Sequence, residues 1–269
     1  MMEAFAAVAA GLLIGSFLNV CIHRMPQDLS VVWPGSHCPC CGHPLAWHDN
    51  IPLASFLLLG GRCRHCRSTI SWRYPLVEFL TAMLFLAGYL TWGPEGGAVK
   101  FALFSALLLG MIFSDLQSRI LPDEFTKGGI VLGLVMSIAV PLPSGMLHFM
   151  LPEMIAHFSS TIEAVFAAVF GGGSLWLVGV LYAKIRHKEG LGFGDVKMVA
   201  MMGAFMGLSS ALAAVMLGCI AGTVVGLTYV YIAKKDPSTY ELPFGSFLGI
   251  AALFVSLAEP GWLHWYRNM

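Results

Sequence analysis

Charged side chains are scarce in this sequence: 11% of its 269 residues are Asp, Glu, Lys or Arg, against 57% that are hydrophobic. That balance excludes an ordinary soluble domain and points to a chain that crosses a bilayer several times. Neither sign is in excess, with 15 basic and 15 acidic residues, so no net charge invites nucleic acid. A basic leading region is missing ahead of the first apolar run, which therefore reads as a retained span rather than a cleaved signal. No glycine-rich nucleotide-binding fingerprint and no convincing inverted repeat are found either.

What is present is a series of apolar runs. A hydrocarbon core of ~30 Å takes about 20 apolar helical residues to cross. On that measure the sequence predicts an all-α polytopic membrane protein with about eight transmembrane helices, over 4–22, 75–92, 98–115, 127–142, 161–183, 196–211, 213–232 and 244–258. The boundary between the sixth and seventh is placed near Ser209 and Ser210. With the first terminus outside, only Lys100 and Arg267 of the 15 basic residues fall on the outer side. Arg24, Arg62, Arg64, Arg67, Arg73, Arg119, Lys127, Lys184, Arg186, Lys188, Lys197, Lys234 and Lys235 fall on the inner side. The bias predicts that the 142–160 loop is outside and that the long polar insertion, 23–74, is cytoplasmic. The organisation expected is a first span (1–22), the cytoplasmic insertion (23–74) and a transmembrane core (75–269).

Five of the seven cysteines lie in that insertion: Cys38, Cys40, Cys41, Cys63 and Cys66. Cys38-Pro-Cys-Cys41 and Cys63-Arg-His-Cys66 are two CxxC units whose spacing lets a pair of knuckles converge on one tetrahedral ion. A disulfide cluster is the alternative, but a reducing compartment favours thiolates, and zinc is the natural occupant. Cys40, His37, His43 and His65 are each able to replace one ligand of the Cys38, Cys41, Cys63, Cys66 set. A four-cysteine site is closed, so the zinc is expected to be structural. Between the knuckles lies Asp49-Asn50-Ile51-Pro52, followed by a short apolar stretch to Leu59 read as a packed or re-entrant helix. Glu78 sits about one turn into the second span, where a macrodipole contact or an arginine partner would account for it.

Two aspartates stand at the edges of apolar runs, Asp115 in Phe113-Ser-Asp-Leu-Gln and Asp195 in Gly192-Phe-Gly-Asp-Val-Lys197. Acidic groups beside a bilayer are costly and mark function by default. Both map to the cytoplasmic face, where two carboxylates are able to hold one water and share one proton, one as base and one as acid. That arrangement is the signature of an aspartic-type membrane protease. Gly192 and Gly194 would let an extended substrate strand approach, with Lys197, Arg119 and Asp123 close by. Taken singly, Asp195 reads equally well as a helix cap, Asp115 as a solvated helix end and Asp123 as the cap of the fourth span. Asn19 and His23 are assigned to the membrane interface, and Gly171, Gly172, Gly173, Gly218 and Gly222 to close helix packing.

In order along the chain, Gly15-Ser-Phe-Leu-Asn-Val-Cys-Ile-His-Arg-Met-Pro26, the paired CxxC units around Asp49-Asn-Ile-Pro52, Arg73-Tyr-Pro-Leu-Val-Glu78, Asp115-Leu-Gln-Ser-Arg-Ile-Leu-Pro-Asp123 and Gly192-Phe-Gly-Asp-Val-Lys197 resemble the motifs of the prepilin leader peptidase/N-methyltransferase family, a group of GxGD aspartic membrane proteases. The likeness covers most of the chain. The tight Cys38-Pro-Cys-Cys41 run, with its additional thiol, departs from the family pattern. The resemblance implies a bacterial inner-membrane enzyme with its active site facing the cytoplasm. Its substrates would be type IV prepilins and type II secretion pseudopilins, cleaved after a glycine that ends a short basic leader. Methylation of the new amino terminus by S-adenosylmethionine would follow. By motif, Asp115 and Asp195 would be the catalytic pair; Asp49 and Glu78 are candidates for the methyl-donor site, associated with the insertion and early spans. The competing reading is a proton- or cation-coupled transporter with a metal-sensing loop, and a third is a methyltransferase alone.

Overall fold

A computed structural model describes residues 1–142, 156–187, 191–233 and 242–267. Lys188, Lys234, Lys235 and residues 143–155 of the expected 142–160 loop lie outside them, while 156–160 of that expected loop are the start of a helix. Among the described residues the chain is helical, with no strand beyond two isolated bridges. Its α-helices are α1 (Met2–Arg24), α2 (Ala54–Leu58), α3 (Arg73–Trp92), α4 (Gly96–Ser118), α5 (Asp123–Ala139), α6 (Ala156–Arg186), α7 (Phe193–Ile232) and α8 (Phe244–Arg267). Of these α1, α3, α4, α6 and α7 are long and apolar enough to cross a membrane. The remaining expected spans fall on α5 and α8, and the expected sixth and seventh both fall on α7.

Helix α7 is two helices meeting at a kink. Gly207 has φ 76° and ψ 174°, outside helical space and costly for any residue with a Cβ. The break frees the Leu208 N–H, and the buried carboxylate of Glu163 on α6 accepts it at 3.2 Å. The polar pair Ser209-Ser210 had suggested the break two residues later. It sits instead where glycine and a non-local acceptor together make it possible.

By internal contacts the chain divides into two units, Met1–Gly110 and Met111–Met269. In the first, α1 packs along α3. A Cβ on Gly11 would lie 2.6 Å from the Ala82 Cα, and one on Gly15 2.7 Å from the Glu78 Cα, so small residues set the spacing of the two backbones. Asn19 is not at an interface. It is 2% exposed, and its amide donates to the carbonyls of Tyr74 (3.0 Å) and Gly15 (3.3 Å), tying α1 to the start of α3.

In the second unit α7 is the central element, touching α5, α6 and α8. Met198, Met201, Met202, Ala204 and Leu248 are fully buried around it. Gly203 lies so close to α6 that a Cβ would fall 2.5 Å from the Ala167 carbonyl oxygen. The packing glycines read from sequence behave unequally. A Cβ on Gly172 or Gly218 would lie 2.9 Å from Ala200 or 3.0 Å from Leu248, one on Gly171 or Gly222 would make ordinary contacts, and one on Gly173 would meet open space.

Candidate active site and metal centre

The polar insertion of the first unit is built from two matching knuckles. In one, the Cys38 N–H donates to the His43 carbonyl and the Gly42 N–H to the Cys38 carbonyl. In the other, the Cys63 N–H donates to the Ser68 carbonyl and the Arg67 N–H to the Cys63 carbonyl. The residue four places after the leading cysteine is left-handed in both, Gly42 at φ 68° and Arg67 at φ 59°. Isolated bridges His37–Pro44 and Arg62–Thr69 close each loop.

The knuckles bring the sulfurs of Cys38, Cys41, Cys63 and Cys66 within 4.8 Å of one another. Cys38 Sγ and Cys66 Sγ stand 3.8 Å apart, the separation of about 3.8 Å that tetrahedral bonds of ~2.3 Å to one zinc would give. None of the seven cysteines forms a disulfide. Hydrogen bonds from the backbone of Cys41 draw the Cys38 thiol down to about 6, and Ser68 draws Cys66 down as well. Both shifts favour the thiolate that a metal needs. Cys40 lies outside the cluster, the rings of His43 and His65 are tilted against each other with centroids 3.5 Å apart, and His37 Nδ1 lies 3.0 Å from the Gly35 carbonyl. The donor set is therefore the four cysteines of the CxxC pair, able to hold a closed tetrahedral ion such as zinc.

Asp49 and Glu78, the other acidic residues singled out near this insertion, both hold its chain. The Arg64 guanidinium grips Asp49 in a fork, Nη2 to Oδ1 at 2.6 Å and Nε to Oδ1 and Oδ2 at 3.0 and 3.2 Å. That pairing keeps the Asp49 carboxyl below the usual carboxylate range. Glu78 meets no arginine: its Oε2 accepts the Leu53 N–H at 2.8 Å. Leu53, at φ 59°, is one of five non-glycine residues at positive φ among the described residues. It opens α2, whose Leu57 and Leu58 are exposed while Phe56 packs on Trp72 at 4.8 Å.

In the second unit the two aspartate motifs converge. Asp115, near the end of α4, is 6% exposed and so not a solvated helix end. Its Oδ2 accepts two hydrogen bonds from Ser246 at the start of α8, from the backbone N–H and from the hydroxyl, each at 2.7 Å. Asp195 is the third residue of α7. The residue before that helix is Gly192, no side-chain cap is formed, and the capping alternative for Asp195 does not hold. The carboxylate of Asp195 lies within electrostatic reach of Asp115.

Leu121, in the turn between α4 and α5, joins the two motifs. A Cβ on Gly194 would meet Leu121 at 3.1 Å, as would one on Gly245, which would also lie 3.3 Å from Asp115 Oδ2. Gly192 and Gly194 are not left-handed; at Gly194 a side chain would press on Leu121. Asp123 does not cap α5 with its side chain. Its carboxylate receives Lys197 from α7 and Lys127 from its own helix, the latter at 2.7 Å, and the two cations, Lys127 first, hold the carboxyl below its ordinary range. Lys197 also stands 5.2 Å from the centre of the Phe193 ring. Arg119, left-handed at φ 57°, follows the end of α4 and is exposed.

Sequence reasoning missed Ser246. The available signal was Pro243-Phe-Gly-Ser246, a turn with a hydroxyl ahead of an apolar run. Glu163 was missed as well, although an acid inside an apolar run satisfies the criterion that selected Asp115.

Residues 9–92 match the family model described as bacterial peptidase A24 N-terminal domain, and residues 101–227 that of the type IV leader peptidase family. A prepilin leader peptidase/N-methyltransferase of Pseudomonas aeruginosa is 35% identical, over 91% of this chain and 86% of its own length. One of Myxococcus xanthus is 41% identical, over 96% of this chain and 73% of its own length. The type 4 prepilin-like proteins leader peptide-processing enzyme of Escherichia coli is 36% identical, over 93% of both. No solved structure matches the chain.

Proposed function

This chain belongs to the type IV leader peptidase family, and from that premise we propose that it is a membrane aspartic endopeptidase with a second, N-methyltransferase activity. Its substrates are type IV prepilins and type II secretion pseudopilins, cut after the glycine that ends a short basic leader. The observation that carries this reading is the pairing of Asp115 with Asp195 inside one compact unit, joined through Leu121, Gly194 and Gly245.

The chemistry follows from two carboxylates sharing one proton. The ionised member takes a proton from a water held between them, and the oxygen attacks the scissile carbonyl. The protonated member gives its proton toward the departing amine. Ser246 donates twice to one oxygen of Asp115, which fixes that carboxylate as an acceptor and suits it to the general base. Asp195 is then the acid. The Lys197–Asp123 pair fixes the start of α7 against the start of α5, which positions Asp195 without touching substrate.

The inner-side basic bias supports a cytoplasmic location for both aspartates and for the insertion, in an enzyme of a bacterial inner membrane. A precursor anchored by its apolar helix would present its junction at the height of the two aspartates while its basic leader stays in water. In the insertion, Cys38, Cys41, Cys63 and Cys66 would hold a zinc whose part is structural. The family favours this reading over an ion-coupled transporter. It also favours it over a methyltransferase alone, because the aspartate pair would then have no task.

The test is to incubate the purified protein with a prepilin and labelled S-adenosylmethionine, reading leader removal and label on the mature chain in one reaction. Both products are expected. Methylation with no cleavage would leave only the methyltransferase reading.

A further inference from the structure

Two short stretches of the insertion carry bare apolar side chains. Val32 and Trp33, in the loop that follows α1, are 82% and 79% exposed, and Leu57 and Leu58, on α2, are 74% and 86% exposed. Exposed apolar groups gathered in this way mark a surface that something covers.

The depth of both stretches follows from the spans beside them. Helix α1 has 23 residues, about 34 Å at a rise of ~1.5 Å each, little more than the hydrocarbon core of ~30 Å that it crosses. Leu13 stands at its middle and Phe17 one turn on, both exposed as side chains of a span are where it faces lipid. One cavity of about 270 Å³ is lined by Leu13, Phe17 and Val20 of α1 together with Val31, Val32 and Pro34 of the loop. The loop therefore folds back along α1, past the helix end and toward the middle of the span. The second stretch is tied to α3, whose 20 residues, about 30 Å, are all needed to cross. Glu78 lies in the second turn of α3, and its Oε2 accepts the N–H of Leu53, which opens α2. The Ser16 hydroxyl, from the second half of α1, bonds the same carboxylate. Trp72 immediately precedes α3, at the height where tryptophan sits in a bilayer, and Phe56 of α2 packs on it. Helix α2 is thus held where α3 enters the membrane.

Non-helical backbone survives at such depth only where its polar groups are satisfied by protein. In the loop, Ser30 Oγ accepts the N–H groups of Val32 (3.3 Å) and Trp33 (3.2 Å), and Pro34 has none to satisfy. The buried Arg24 guanidinium donates to the carbonyls of Ser30 and Gly35, at 3.0 and 3.2 Å. In the second stretch, carbonyls of the segment itself accept the N–H groups of Ala54, Ser55, Leu57 and Leu59. Both stretches keep these backbone groups engaged while their apolar side chains stand bare, an arrangement that suits hydrocarbon and not water.

From this depth, backbone pairing and exposure we propose that two prongs, Val32–Trp33 and Leu57–Leu58, seat the insertion in the bilayer, and that their partner is the acyl chains of the leaflet on its own side. The cysteine knuckles stay outside that layer. The seat fixes the height of the insertion against α1 and α3, apart from any step of peptide cleavage.

The test reads lipid contact directly. Full-length, zinc-loaded protein is placed in nanodiscs of phosphatidylethanolamine and phosphatidylglycerol, one copy per disc, with a trace of phospholipid carrying a diazirine on its acyl chain. After irradiation the adducts are mapped by peptide mass spectrometry. Phe17 of α1 is the positive reference, and the exposed knuckle residues Cys40 and His65 are the negative one. Adduct yields at both prongs within threefold of Phe17, and at least fivefold above the knuckles, are expected. A yield at either prong no higher than at the knuckles would overturn the proposal. Prong adducts that vanish when two copies share a disc would overturn it too, by making a second copy of the chain the occupant.

Discussion

Ser246 and Asp115, 131 residues apart in sequence, share two hydrogen bonds of 2.7 Å on a single carboxylate oxygen. One comes from the backbone and survives any substitution short of proline. The other comes from the hydroxyl and is removable. A hydrogen bond to a charged group contributes about 1.5–3 kcal/mol, which as a rate effect is roughly 10–100-fold. Ser246→Ala should therefore lower kcat for prepilin cleavage by that amount with KM little changed, and Ser246→Thr should recover most of it. Equal losses in both variants would mark Ser246 as a packing residue.

A Cβ added at Gly194 or Gly245 would lie 3.1 Å from Leu121, a separation that needs Leu121 to shift. Gly194→Ala is expected to cost about 1–3 kcal/mol by overpacking and to lower cleavage with it. The double variant Gly194→Ala/Leu121→Ala gives the new methyl room and should recover a large part of both. Melting temperature and cleavage rate measured side by side on the single and double variants decide it.

The Asp123 carboxylate joins Lys197 of α7 to Lys127 of α5. Lys197 is the less exposed partner, at 17% against 66% for Lys127, so the two lysines should differ in effect. Lys197→Met should reduce cleavage several-fold while Lys127→Met stays near the native rate, since exposed pairs contribute about 0–1 kcal/mol. Asp123→Asn combined with Lys197→Met should be no worse than the worse single change, as expected of partners in one interaction.

The sulfur cluster separates the five insertion cysteines into four candidate ligands and a bystander. Cys63→Ser should lose the zinc, about one per chain, and lower the melting temperature. Cys40→Ser should keep it, because that thiol lies outside the cluster. Zinc measured by atomic emission on the two purified variants distinguishes this set from one in which Cys40 replaces Cys41.

Much of this was legible in the sequence because it depended on local contrast. A carboxylate at the edge of an apolar run stands out against its neighbours, and a CxxC pair carries its geometry in its spacing, which is why Asp115, Asp195 and the four cysteines could be named at once. What stayed hidden depended on distant partners. A serine at a helix start is unremarkable until α8 brings Ser246 to Asp115. Asn19 looked like an interfacial residue because its acceptor, the Tyr74 carbonyl, lies 55 positions on. The kink in α7 was placed by local polarity at Ser209-Ser210, whereas glycine's access to positive φ and the Glu163 carboxylate on another helix fix it at Gly207. Asp123 and Glu78 were read through helix-end rules, and tertiary partners claimed both instead.

The central claim is that Asp115 and Asp195 act as a pair on one scissile bond. It is tested most directly by Asp115→Asn and Asp195→Asn, each assayed for leader removal from a prepilin in membranes, with equal protein levels confirmed. Groups that act as a unit fail together, so each variant and the double variant should lose cleavage to the same extent, about a thousandfold or more. Native-level cleavage by either single variant would contradict the account.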